Sequence, residues 1–168
     1  MISEALTREI NEQIKFELYS AYIYLAMSAD CSDRNLSGFA HWLSEQAEEE
    51  VAHAMRFYNF LLERGARVEL MAIDQPPARF GSPLEIMEKS LEHERFVTGR
   101  INGLYELAVS ENDYPAQVLL QWFVTEQVEE ESSIDEIVER MRMFGAEGPA
   151  LLMLDTQLGL RPAEDGEE

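Results

Sequence analysis

Apolar residues recur at alternating steps of three and four along four long stretches of the chain, and polar residues interrupt each stripe near its middle. The first stripe runs Ile10, Ile14, Glu17, Ala21, Tyr24, Ser28. The second is Phe39, Leu43, Gln46, Glu50, His53, Phe57, Phe60, and the third is Met87, Ser90, Glu94, Val97, Ile101, Leu104, Ala108. The fourth reads Ala116, Leu120, Phe123, Gln127, Glu130, Ile134, Ile137, Met141. Steps of three and four keep these positions on one helical face, the face that a bundle buries. The pattern predicts four long helices around a core that carries carboxylates at mid-height.

Start and stop signals bound the helices. Ser3 followed by Glu4 is an N-cap with a first-turn acid, and that helix fades near Cys31-Ser32-Asp33-Arg34. The second runs from about Leu36 to Arg64 and stops at Gly65. Ser82-Pro83-Leu84-Glu85 opens the third, with proline at the first position and glutamate at the third, and it continues to about Ser110. Asp113-Tyr114-Pro115 opens the fourth, which ends at Gly145. Gly148-Pro149 starts a short fifth helix to about Leu158, closed by Gly159. The expected division is 1–145 for the four-helix bundle, 146–161 for the short fifth helix and 162–168 for a disordered acidic tail.

Lengths then set the topology. Helices of this size span roughly 40 Å. Segment 66–82, with Pro76-Pro77 and Gly81 and no helical period, reaches about 55 Å when extended, enough to run the length of a bundle. The other two links are short, so they join antiparallel neighbours. The class is all-α: an up-down-down-up four-helix bundle with one long crossover and a short fifth helix.

Charge narrows the partners. With 33 acidic and 13 basic residues among 168, the formal net charge is −20, which disfavours nucleic acid and anionic membrane and favours cations. No apolar run is long enough to span a membrane. Met1-Ile2-Ser3-Glu4 lacks the regions of a signal peptide, and the single Cys31 excludes a four-cysteine metal module; a cytoplasmic location is expected.

The chemistry lies in the interruptions. An unpaired buried carboxylate costs several kcal/mol, so four on one core require a partner, and the stripes offer no basic residue. One carboxylate per helix (Glu17, Glu50, Glu94, Glu130) plus the imidazole of His53 make a ligand set for two metal ions. Glu50 and His53 stand three residues apart on one face, and Glu50 is central enough to bridge both ions. Carboxylates with one imidazole suit iron or manganese better than copper or structural zinc.

At these residues the chain resembles the ferritin family, specifically its haem-free bacterial and archaeal members, from the first helix through the fifth. The fourth helix carries Gln127-Val128-Glu129-Glu130 in place of a second Glu-x-x-His, which separates the chain from bacterioferritins. The resemblance implies a ferritin-like fold with a diiron ferroxidase centre: Glu17, Glu50 and His53 around a first iron, and Glu50, Glu94 and Glu130 around a second. Glu49, Glu126, Glu129 and Glu130 look like the third iron site of bacterial ferritins. Gln127 offers an amide that either ligates or only hydrogen-bonds. Tyr24 is similar to a family tyrosine beside the diiron centre, and from the residues alone reads equally as core packing. Haem is not expected, because Val51 stands where bacterioferritins place the haem-ligating methionine. His41 and His93 fall off the stripes, at the surface or behind the ligands.

The fifth helix, apolar around most of its circumference, predicts a contact between copies, and the resemblance implies a 24-subunit hollow shell. The implied function is iron storage: Fe(II) is oxidised by dioxygen or hydrogen peroxide and the ferric mineral is kept inside the homo-oligomer. Rival readings are another diiron-carboxylate oxidase and a non-catalytic acidic bundle that buffers metal. Oligomer mass together with iron-dependent oxidation separates the three.

Overall fold

A computed structural model describes residues 1–163, so the expected acidic tail lies, from residue 164 onward, outside the described residues. Five helices follow in order: α1 (Glu4–Asp33), α2 (Ser37–Glu63), α3 (Pro83–Ser110), α4 (Tyr114–Phe144) and α5 (Gly148–Leu158). Three N-termini carry the caps read from the sequence. Ser3 accepts from Leu6 N, Asp113 accepts from Ala116 N, and Ser82 and Glu85 form a reciprocal capping box.

The apolar core is divided in two. One cluster gathers Met27 and Cys31 of α1, Phe39 and Leu43 of α2, Ile86 and Met87 of α3, and Ile134 and Met141 of α4. The other gathers Leu6 and Ile10, Phe57 and Leu61, Ile101 and Leu104, and Ala116 and Leu120. The chain passes from the second cluster to the first along α1, back along α2, back again along α3, and forward along α4. That is the up-down-down-up order, and the polar interruptions form a band between the two clusters.

Because α2 ends where α3 does not begin, the crossover has to travel the length of the bundle. Two buried polar side chains of α1 pin it. Asn11 donates to Arg67 O at 3.0 Å and accepts from Glu69 N at 2.7 Å. Asp30 accepts from Phe80 N at 3.2 Å and pairs with Arg34 at 2.7 Å.

Every stripe position is buried except Ser28, which is half-buried and donates to Ala40 O. The buried line of α1 has drifted to Met27 and Cys31 instead. A 3.6-residue helix slips about 20° per heptad against a 3.5-residue repeat, and here the slip shows at the C-terminal end of α1.

Helix α5 lies across the start of α2, which has no side-chain cap of its own. Asp155 supplies one from α5: its Oδ1 accepts from Gly38 N and Phe39 N, both at 2.9 Å. The approach is so close that a Cβ on Gly38 would stand 1.6 Å from Asp155 O. The bundle covers only part of the apolar circumference of α5. Leu158 is buried in the first cluster and Leu151 and Leu154 pack against it, whereas Leu152 and Met153 stay 60% and 76% exposed. Gly38→Ala is expected to unseat α5 and lower stability by about 1–3 kcal/mol, the usual cost of forced overpacking. Thermal melts and protease cleavage within 148–158 check this; a variant with wild-type melting and protection would refute it.

Candidate metal centre

The polar band takes one carboxylate from each long helix because the four stripes bring positions 17, 50, 94 and 130 to the same height. Glu17, Glu50 and Glu94 are at most 1% exposed, and His53 and Glu130 are also buried. Ligand atoms of Glu17, Glu50 and His53 lie within 4.8 Å of one another, as do those of His53, Glu126 and Glu130. His53 Nδ1 is 3.6 Å from Glu50 Oε2. Its ring packs edge-on against Trp122 and Phe123, at 5.4 and 5.7 Å between centroids, which fixes its plane.

Hydrogen-bond donors hold one side of several carboxylates. Gln13, wholly buried, donates to Glu17 Oε1 at 2.8 Å and accepts from Arg100 Nε at 3.0 Å. Gln46 donates to Glu130 Oε2 at 2.6 Å. Glu94 accepts from the Tyr24 hydroxyl in a short bond and from Gln127 Nε2 at 3.2 Å. Two oxygens, Glu17 Oε2 and Glu50 Oε2, are buried with no hydrogen-bond partner.

Electrostatics follow from this crowding. Burial pushes the Glu17 carboxyl up to about 7, and the Gln13 hydrogen bond opposes it. Burial and then the charge of Glu94 raise Glu50 well above the ordinary range; the same two causes raise Glu130. Glu94 is also raised, by burial. Burial next to these carboxylates pushes the Tyr24 phenol up as well. Without a cation the band therefore favours protons, and a multivalent cation can relieve both the burial and the mutual repulsion. The donor set of carboxylate oxygens with one imidazole fits iron.

The family model for the ferritin-like domain matches residues 7–144. The bacterial non-haem ferritin of Bacteroides fragilis is 40% identical over 161 residues, covering 96% of this chain and all of that one. This chain belongs to the ferritin family. The bacterial non-haem ferritin of Staphylococcus aureus is 36% identical, with 98% and 99% of the two chains covered. Among solved structures, the open-pore ferritin of Archaeoglobus fulgidus superposes with a TM-score of 0.95 at 46% identity, over 96% of this chain and 100% of that one. The chain is thus an iron-storage ferritin of the haem-free type. Among its described residues, no helix is long and apolar enough to cross a membrane.

In this ferritin the first expected ligand trio, Glu17, Glu50 and His53, is brought together. The second expected set is looser. Among the described residues no cluster of comparable tightness includes Glu94, whose oxygens are held by Tyr24 and Gln127. Glu126, expected beside the third position only, also reaches His53 and Glu130. Glu49, Glu126, Glu129 and Glu130 line one pocket of about 320 Å³ on the flank of the band, together with Trp42, Gln46 and Arg161.

Four residues that serve the site escaped the sequence reading. Gln46 stood on a stripe but carried no role. Gln13 had a signal, lying one turn before Glu17, whereas Arg100 and Arg161 act across the fold and had none. His93, expected at the surface or behind the ligands, is behind them: it hydrogen-bonds Ser20 Oγ at 2.7 Å and packs edge-on to Tyr24, and burial pushes its pKa down to about 4. His41 is half-buried and bonds the Arg161 carbonyl at 2.8 Å.

Proposed function

We propose that this ferritin oxidises Fe(II) in the polar band and stores the ferric product inside a shell of its own copies. The observation that carries the reading is the pair of partnerless buried oxygens on Glu17 and Glu50, beside the imidazole of His53. Atoms of that kind are tolerated where a cation completes them. Fe(II) is the substrate. Glu17, Glu50 and His53 take the first ion, and Glu50, Glu94 and Glu130 the second, with Glu50 shared. Gln127 holds Glu94 by a hydrogen bond. Tyr24 fixes the other Glu94 oxygen and so orients a ligand of the second ion. Each Fe(II) gives up one electron, and dioxygen or hydrogen peroxide accepts them. Carboxylate ligation favours the ferric product, and the protein's part is to hold two ions close with positions open to the oxidant.

Glu49, Glu126, Glu129 and Glu130 form a third iron position in the flanking pocket, one step removed from the pair. The shell, of 24 subunits as the resemblance implies, is supported by apolar side chains that one bundle leaves uncovered: Leu152 and Met153 on α5, Leu160 after it, and Met143 and Phe144 at the end of α4. Haem has no part in this reading, and the chain works in the cytoplasm.

Light scattering with iron-loading stoichiometry tests both halves. The full-length chain is expected to run as a large shell that takes up many Fe(III) per subunit. A monomer at micromolar concentration, or binding of iron with no oxidation, would overturn it. Ending the chain at Glu147 removes Leu158 and the Asp155 cap, so the shell should weaken or retain less mineral. Single-turnover oxidation should persist in that truncation, because every ligand of the pair precedes Glu131. Loss of oxidation by a truncated chain that stays helical and assembled would contradict this separation.

A further inference from the structure

The segment after α5 turns back onto α2 and inserts Arg161 into the flanking pocket. Its Nη2 donates to Glu49 Oε2 at 2.6 Å, and its Nη1 donates to Gln46 Oε1 at 2.9 Å. The guanidinium stands 4.8 Å from the centre of the Trp42 ring, and the Arg161 carbonyl is bonded by His41 at 2.8 Å. Side-chain exposure is only 18% for Arg161 and 10% for Glu49, so this pair is far less screened than a surface one. Gln46, held by Arg161 on its oxygen, donates from its nitrogen to Glu130. A hydrogen-bonded chain therefore runs from the C-terminal segment to a carboxylate of the band.

We propose that Arg161 is a resident counter-cation that sets the affinity of the third position, because a divalent ion that takes Glu49 Oε2 must displace the guanidinium, and one that takes the other oxygen must sit beside its charge. The proposal rests on the reading of Glu49, Glu126, Glu129 and Glu130 as a metal position. A planar fork on two acceptors is a strong, geometrically fixed contact, and the same Glu49 oxygen cannot serve both partners. Two cations a few ångströms apart also repel in a partly dry pocket. The third position is consequently the weakest of the three. When its ion leaves, the guanidinium returns to Glu49 and leaves no bare charge behind. Arg161 is thus a specificity-determining residue supplied by the chain beyond the bundle, placed there by the seating of α5.

The test is an anaerobic calorimetric titration of the assembled full-length protein with Zn(II), a redox-inert probe. Arg161→Gln should raise the affinity of the weakest class of sites about tenfold or more, the effect of removing a unit charge at this range, with the tighter classes unchanged. Arg161→Lys keeps the charge but loses the two-pronged contact, and should fall between wild type and Arg161→Gln. Shell mass and helical circular dichroism verify that the variants are folded. An unchanged or weakened third class in Arg161→Gln overturns the proposal. Glu126→Gln with Glu129→Gln identifies which idea has failed. If that double variant still binds every ion, the third position itself is wrong and the proposal falls with it. If it loses one class while Arg161→Gln has no effect, only the role of Arg161 is wrong. Zn(II)-soaked wild-type crystals give a check that needs no variant: the guanidinium should have left Glu49 wherever the third ion is bound, and a guanidinium still in place beside that ion overturns the proposal.

Discussion

Replacing Glu50 and His53 together with alanine is expected to abolish rapid Fe(II) oxidation, by at least about a hundredfold in single-turnover rate. Losing an outer partner of a metal ligand already costs 10- to 100-fold, and this variant loses two ligands outright. In the proposed centre Glu50 is shared between the two ions, and His53 is the imidazole common to both tight clusters. The bundle itself should survive. Glu50 is a buried acid whose charged form is opposed by burial and by Glu94, Glu17 and Glu130, so removing it relieves repulsion even as it opens a cavity. Stopped-flow absorbance under dioxygen, alongside circular dichroism and shell mass, is the measurement. A folded, assembled variant that oxidises iron at the wild-type rate would eliminate the polar band as the ferroxidase centre.

The second large effect is one of sign. Burial holds the Glu17 carboxyl at about 7 in the fold against 4.5 in the free chain. The folded state therefore keeps a proton that the unfolded state has released. Its contribution to stability is complete below pH 4.5 and is lost as pH rises through 7, in total on the order of 3 kcal/mol. His93, lowered to about 4 by burial, works the opposite way across pH 4 to 6.5, so the raw slope of the wild type is a poor readout. The comparison with Glu17→Gln isolates the group, since glutamine can still accept from Gln13. Without metal, Glu17→Gln should match the wild type near pH 4.5 and exceed it above pH 7. Adding Zn(II) at pH 7.5 should reverse the order, because the wild type gains an ion that the variant binds poorly. Denaturation curves at the two pH values, with and without Zn(II), decide it; parallel curves for both proteins would remove Glu17 from the site.

Most of the fold and the heart of the site were legible because both depend on periodicity along single helices. The stripes place Glu17, Glu50, Glu94 and Glu130 at one height whatever the loops do, and Ser3, Ser82 and Asp113 announce helix starts by local chemistry alone. What could not be read depends on contacts between distant segments. Asp155 caps a helix that begins far earlier in the chain, and Gly38 is glycine because a backbone from α5 passes over it. Neither fact leaves a local mark. Arg161 is similar: an arginine three residues past a helix end looks like any soluble terminus until Trp42, Gln46 and Glu49 are seen around it. The apolar circumference of α5 said that something must cover it, but only packing could assign Leu158 to the bundle and leave Leu152 outside.

Two apolar clusters separated by a charged layer give the subunit a seam in its cooperativity. Each half has its own dry core, while the layer between them is held by a few hydrogen bonds among crowded carboxyls that favour their protons. In the metal-free chain this layer is expected to couple the halves less strongly than a continuous apolar core would, so that each can open as a local unit. In the proposed centre, a pair of bound ions would tie all four helices together at the one height where apolar packing does not. Cohesion of the subunit then grows with the logarithm of free cation. A cage built from such subunits would be most rigid when iron is arriving and loosest when it is starved, with the cargo itself acting as the brace.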